Sequence, residues 1–496
     1  MFRGSSMIIL PLIPAPKQLA TEGEFISWSI PIKIYLPLAW RLLLTSIDIP
    51  VLIVNSEQEA DVALFEDESM ATDGYQITID QRAEVRSASY VGAFYALTTL
   101  AQLNFDSVPR LKLEDYPTYS WRGVHLDVSR HFFTVTEIKR FIELIAGHKL
   151  NRLHLHLNDD QGWRVEIPDW PLLTTIGAWR NSTPTGHADD GYSRDGVRHG
   201  GFYTANDLIE IRNYASERGI VVVPEIDLPG HAQAVLAAYP ELGNTNEKFE
   251  VWTDWGISDH VLNVSDHALE FAEEVVLYVA QLFPQSPFHI GGDECPTAEW
   301  QESPEAQSVM RDHGFNNIHS LQSLYTSRLT RVLQERGHQV LAWDEVLDNE
   351  LPAGLTVMAW RGVEKGIEAL SRGHDVVMAP MEYLYLDWAN SSSGSEPRAQ
   401  TRPPDATTWE RVYSFSALLG SLPVDLSHRL LGAQAELWSE YIPTESHLDY
   451  MAFPRLCAFS EVVWGSAGNP ELFKIRLQEH LKLHEKQNVN FRRLEE

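Results

Sequence analysis

The sequence predicts an α/β protein, a (β/α)8 TIM barrel preceded by a small α+β domain, and three observations carry that prediction. From Trp121 onward, short apolar runs alternate with amphipathic helical patterns eight times. Acidic and aromatic residues collect at the carboxyl end of nearly every run, and the first 115 residues lack the alternation. Strands of a parallel sheet covered by helices are buried on both faces, which is why they read as continuous apolar stretches. The 496 residues exceed one ordinary core but suit a barrel with an added domain, so we divide the chain at 1–115 and 116–496.

In the first part, Pro31–Leu36 and Pro50–Val54 read as strands, and Asp73–Ile79 alternates apolar with polar as a half-buried strand does. A helix over Ser89–Leu103 follows, with Ala93, Leu97, Leu100 and Leu103 at helical spacing. In the second part the expected strands are Gly123–Ser129, Arg152–Asn158, Val221–Asp227, Phe288–Glu294, Gln339–Glu345, Thr356–Gly362, Asp375–Pro380 and Leu430–Trp438. Helical patterns over Thr136–His148, Ala205–Arg218, His267–Phe283, His319–Arg336 and Val363–Arg372 lie between them, with Pro443–Ser460 and Pro470–Gln487 after the last strand. Barrel active sites form at the carboxyl ends of the strands. There the sequence puts Asp127, Arg130 and His131; Asn158, Asp159 and Asp160; Glu225, Asp227 and His231; Asp293 and Glu294; Trp343, Asp344 and Glu345; Trp360 and Arg361; Tyr385 and Asp387; and Trp438 and Glu440. Two long connections, 164–204 and 386–429, have the length of functional walls or lids.

Composition narrows the function. With 39 Lys and Arg against 69 Asp and Glu, the formal charge of −30 disfavours nucleic acid, whose phosphates are bound through clustered cations, and favours a neutral or cationic ligand. Cys295 and Cys457 are the only cysteines, so there is no disulfide framework. The apolar start is interrupted by Pro11, Pro14 and Pro16 and no clear small-residue cleavage site follows, which reads as a mature or cytoplasmic start, with cytoplasmic the expected location. No apolar run approaches the ~18 residues of a membrane span, so no membrane partner is expected. Fifteen tryptophans, many beside the strand ends, would suit the apolar faces of sugar rings.

The fourth strand is the chemical centre. It stops in Gly291, Gly292, Asp293 and Glu294. Side chains alternate along a strand, so adjacent acids share an opening only where the strand frays. Glycoside hydrolysis needs a protonated acid at the leaving oxygen and a nucleophile on the other face of the sugar. Two carboxylates projecting from one point cannot bracket a bond, so one serves the leaving group and the nucleophile comes from elsewhere.

Seven ordered motifs carry a resemblance. They are Arg122–Phe132 (RGVHLDVSRHF), His156–Arg164 (HLNDDQGWR), Pro224–His231 (PEIDLPGH), His289–Glu294 (HIGGDE), Trp343–Glu345 (WDE), Tyr385–Asp387 (YLD) and Leu437–Glu440 (LWSE). Together they resemble family 20 glycoside hydrolases, the β-N-acetylhexosaminidases. The resemblance implies substrate-assisted retention, in which the substrate's own 2-acetamido oxygen attacks the anomeric carbon to give an oxazolinium intermediate. It implies that Glu294, with a raised pKa, is the general acid and later the base, and that an ionised Asp293 holds the acetamido N–H. It further implies that Arg122 and Glu440, helped by Asp387, hold the outer hydroxyls. Trp343, Trp360 and Trp438 would wall the sugar, and Tyr385 would bond the acetamido carbonyl oxygen. Asp160 and His231, with Asp227, would orient the acid. Tyr383 competes with Tyr385 on sequence alone. No cofactor and no metal are called for, and the partner is an amino-sugar oligosaccharide or glycoconjugate. Two rivals are open at this point: a metal-dependent hydrolase using His154 and His156, which share a strand face, and a sugar-binding barrel without activity.

Overall fold

A computed structural model describes residues 9–46, 50–103, 107–191, 193–245, 247–392 and 396–494. The eight terminal residues, on which part of the reading of the start rests, lie outside the described residues. The protein is a small α+β domain followed by a closed eight-stranded parallel barrel.

The first domain is a seven-stranded sheet of β1 (Gln18–Ile26), β2 (Ile32–Tyr35), β3 (Val51–Ile53), β4 (Val62–Glu66), β5 (Tyr75–Ile79), β6 (Ala83–Ser87) and β7 (Val108–Asp115), in the order β1-β7-β5-β6-β4-β2-β3. Its helix, Tyr90–Ala101, starts at Ser89, whose side chain accepts from the Gly92 N–H. Ala93, Tyr95, Ala96 and Leu100 bury its inner face.

The eight barrel strands are Trp121–Asp127, Arg152–His156, Val221–Glu225, Phe288–His289, Val340–Trp343, Thr356–Ala359, Val376–Met378 and Leu430–Ala435, and the last closes on the first. All eight expected strands are present, but most end earlier than expected. Their polar carboxyl-terminal residues leave the ladder to line the mouth. The fourth strand is shortened most, with two residues in the ladder and two further backbone bonds, Ile290 N–H to Leu341 O (2.9 Å) and Trp343 N–H to Gly291 O (3.1 Å). Capping boxes start the helices Val135–Ala146 (Thr134 with Glu137) and Ala205–Ser216 (Thr204 with Asp207). The single helix expected over Pro443–Ser460 is two, Glu445–Ala452 and Arg455–Trp464, because Pro454 has no N–H to continue the ladder. Among the described residues no helix is long and apolar enough to cross a membrane.

The two domains meet at the amino-terminal end of the barrel. Buried Lys149 donates to Asp115 (3.1 Å) and to the Tyr75 hydroxyl (2.6 Å), and Trp464 Nε1 donates to Asp115 (2.7 Å). Arg122 is also here, which corrects its assignment to the sugar. It is the second residue of its strand, at the end opposite the mouth, and is fully buried. Its guanidinium donates to the carbonyls of Lys149 (3.0 Å) and Tyr119 (2.8 Å) and to the Tyr95 hydroxyl (2.7 Å), and lies over the rings of Tyr95 and Trp464. Arg122 holds the domains together.

Candidate active site

The backbone around Asp293 and Glu294 shows why the strand stops there. Gly291 (φ 62°), Gly292 (φ 94°) and Glu294 (φ 44°) are left-handed, which breaks the extended alternation and lets both acids face the mouth. Gly291 has no alternative, since a Cβ there would lie 1.9 Å from Asp227 Oδ1. The same Asp227 oxygen accepts from the Gly292 N–H (2.8 Å) and pins the turn. Asp293 is 7% exposed, whereas Glu294 has a side chain 37% exposed.

Behind this turn lies a buried ionic group. His231, also left-handed (φ 47°), contacts Asp159 through Nδ1 (3.1 Å) and turns Nε2 toward Asp293 (3.7 Å) and Glu294 (3.8 Å). Burial opposes a charge on His231, but Asp159, Asp293 and Asp227 outweigh it and raise its pKa well above the usual range, which favours the imidazolium. Asp160 accepts from the backbone N–H groups of Gln233 and Ser258 (both 3.0 Å), and burial pushes it up to about 6. The sequence reading reserves the raised pKa for Glu294 and an ionised state for Asp293. The fold pushes Asp293 well above the carboxylate range, through burial and then the neighbouring Asp227, itself pushed up to about 6 by burial. Like charges in a dry site oppose each other's ionisation, so each of the two carboxylates raises the proton affinity of the other.

Around these acids the mouth is aromatic. Trp343 lies 6.0 Å from Trp438 between ring centres, Tyr385 lies 6.4 Å from Trp438, and Tyr385 stacks on Trp360 at 6.1 Å. Tyr383 turns away to pack on Phe415 (5.7 Å), so of the two tyrosines Tyr385 shares the mouth. Trp360 Nε1 donates to Glu345 (3.0 Å), and burial with Asp293 and Asp344 pushes Glu345 up to about 8. Asp387 is buried with Oδ1 unpartnered, and burial followed by the Glu440 carboxylate raises its pKa well above the usual range.

The mouth does contain an arginine, and it is Arg130. Its guanidinium contacts Asp159 (2.8 Å) and Asp127 (3.3 Å), lies 5.1 Å over Trp438, and is close enough to Glu440 for the two charges to interact. The loop over 164–204 backs it, with buried Arg180 donating to the Arg130 carbonyl (2.6 Å). The two long loops join where Arg402 meets Asp190 (3.1 Å). Asp159, Glu225 and Glu345 are further members of the site that the residue assignments left out.

The histidines that raised the metal reading form an internal ionic core. Glu225 accepts from His156 Nδ1 (2.6 Å) and Trp343 Nε1 (2.8 Å) and lies near His289 Nδ1 (3.0 Å) and His154 Nε2 (3.2 Å). His156 is raised well above its usual pKa by Glu225 and Asp159 and donates from both nitrogens, the second to Asp159 (2.8 Å), so it has no lone pair for a metal. Glu225 takes donors from His156 and Trp343 and sits beneath Trp343 as its anchor.

Residues 119–467 match the family model for the catalytic domain of glycosyl hydrolase family 20, and residues 10–116 match its domain 2. A β-hexosaminidase of Porphyromonas gingivalis is 40% identical over 79% of this chain and 51% of its own length. One of Vibrio furnissii is 34% identical over 81% of this chain and 67% of its own length. This chain therefore spans about half of the first relative and two thirds of the second. Among solved structures, an exo β-N-acetylglucosaminidase of Vibrio harveyi in complex with N-acetylglucosamine superposes with a TM-score of 0.84 at 29% identity, covering 99% of this chain and 80% of that one. A Streptomyces plicatus N-acetyl-β-hexosaminidase superposes with a TM-score of 0.82 at 28% identity, covering 97% and 96%.

Proposed function

The chain belongs to glycosyl hydrolase family 20, and from that premise we propose that it is an exo-acting, retaining β-N-acetylhexosaminidase that removes terminal β-linked N-acetylglucosamine or N-acetylgalactosamine. The observation that carries this reading is the shared origin of Asp293 and Glu294, one buried and one reaching solvent, at a single left-handed turn. Neither can attack the anomeric carbon from the face opposite the other, which favours a nucleophile within the substrate.

In this reading the acetamido carbonyl oxygen bonds to C1 as the C1–O bond to the leaving group breaks. Glu294 delivers a proton to the departing oxygen. Asp293 accepts the acetamido N–H and faces the positive charge that develops on the ring. The His231 imidazolium keeps the anionic form of Asp293 accessible. Water then adds to C1, Glu294 takes its proton, and the acetamido group is restored. Trp343, Trp360 and Trp438 pack on the sugar, Tyr385 orients the carbonyl oxygen, and Arg130, Asp387 and Glu440 hold the outer hydroxyls.

The test compares 4-nitrophenyl β-N-acetylglucosaminide with the corresponding 2-hydroxy glucoside. The acetamido substrate should turn over and the glucoside should be essentially inert; comparable rates would sink the internal nucleophile. Glu294→Gln should cost about 10²–10⁴-fold, and more for an oligosaccharide than for the activated nitrophenol, whose oxygen needs little protonation. Binding of N-acetylglucosamine without any cleavage would mark a lectin.

A further inference from the structure

We propose that His148, Cys457, His480 and His484 form a metal site for a borderline-soft divalent cation of the zinc class, at the base of the barrel and away from the mouth. All four side chains are buried, and donor atoms from each lie within 4.8 Å of one another. His148 follows the helix Val135–Ala146 and precedes the second barrel strand, so it stands at the amino-terminal end. Cys457 lies on the helix Arg455–Trp464, and His480 and His484 lie one turn apart on the helix Pro470–Lys486.

Hydrogen bonding fixes which ring atoms are free. His148 Nδ1 donates to the Leu144 carbonyl (2.7 Å) and His480 Nδ1 to the Pro11 carbonyl (2.8 Å). A carbonyl oxygen only accepts, so the proton of each neutral ring is on Nδ1 and the lone pair on Nε2. Those two Nε2 atoms face each other at 3.1 Å, and Cys457 Sγ lies 3.4 Å from His148 Nε2. Two lone pairs this close repel unless a cation lies between them. Among the described residues no carboxylate hydrogen-bonds to these imidazoles, so a buried imidazolium would have no counter-ion. His484 Nδ1 is a further buried nitrogen with no partner.

Tetrahedral zinc with Zn–N of ~2.0–2.1 Å and Zn–S of ~2.3 Å sets neighbouring nitrogens about 3.3 Å apart and nitrogen and sulfur about 3.6 Å apart. The observed separations are near these values. The three imidazoles lie 5.1–5.3 Å apart between centres at interplanar angles of 65–78°, converging on one point instead of stacking. The carbonyl partners of His148 and His480 are the kind of outer contact that orients metal-binding histidines. Phe453 packs on His148 and His484, and a cavity of about 580 Å³ beside Phe94, Gln102 and Gly147 reaches three of the four ligands and gives a way in. Four ligands leave no open position, which makes the site structural. Binding releases the Cys457 thiol proton to solvent and ties the carboxyl-terminal helix to the barrel base. The sequence hides this site, because Cys457 and His480 lie 309 and 332 residues from His148.

The test uses the full chain, stripped of metal and reconstituted with zinc or cobalt(II). We expect one zinc per chain to survive gel filtration, a rise of several degrees in Tm over the stripped protein, and a sulfur-to-cobalt charge-transfer band. Cys457→Ser should abolish the band, and Cys295→Ser should leave it. No retained zinc, a cobalt spectrum without thiolate character, or a band that follows Cys295 would each overturn the proposal. The wild-type cobalt spectrum decides even if a variant fails to fold.

Discussion

Two arginines eight positions apart in one strand motif have opposite tasks. Arg122 bonds backbone carbonyls between the domains, and Arg130 faces Trp438 at the mouth. Replacing Arg122 with Met should cost about 3 kcal/mol in denaturant unfolding, because buried carbonyls lose their donor, while the folded fraction keeps its kcat/KM. Arg130→Lys should instead lower kcat/KM about 100-fold with a smaller loss of stability, since a lysine cannot span Asp159 and Asp127 while covering Trp438. Glu345 supplies a pH prediction. Its folded pKa of about 8 lies above the unfolded value, so the folded protein binds its proton more tightly. Its contribution to stability is intact below pH ~4 and is lost as pH rises through about 8. Asp293 and Asp344 oppose its ionisation and Arg361 favours it. Unfolding measured across that window should show the decline, and Glu345→Gln should flatten it.

The fourth strand makes the site by ending early. Two glycines and a left-handed glutamate replace the rest of the expected strand, and Asp227 occupies the space a side chain at 291 would need. Gly291→Ala should therefore displace Asp293 and Glu294 and lower kcat about 100-fold while circular dichroism still reports a folded barrel. An unchanged kcat would show that the turn tolerates the shift. The glycines were legible as a close approach. The abrupt end of the ladder after two residues was not, because it depends on Asp227 arriving from the neighbouring strand.

For the molecule as a whole, the amino-terminal domain braces the barrel at the end opposite the chemistry. Asp115 accepts from both Lys149 and Trp464, so Asp115→Ala strands a buried ammonium and should cost about 3–5 kcal/mol in unfolding measurements. Activity at temperatures below the new Tm should be retained. A loss of activity without a loss of stability would place the domain interface in the catalytic path.

The sequence by itself determined the barrel, the preceding small domain and the acid pair, because alternation of apolar strands with helices and a concentration of acids at strand ends are local, periodic signals. Only the tertiary structure decided that Arg130 and not Arg122 is at the mouth, since the difference is which end of one strand each occupies. The tertiary structure alone decided that burial and Asp227 raise the proton affinity of Asp293, and that four residues from three distant segments converge below the barrel. Proton affinity and ligand geometry depend on distances between side chains remote in sequence, which no local pattern encodes.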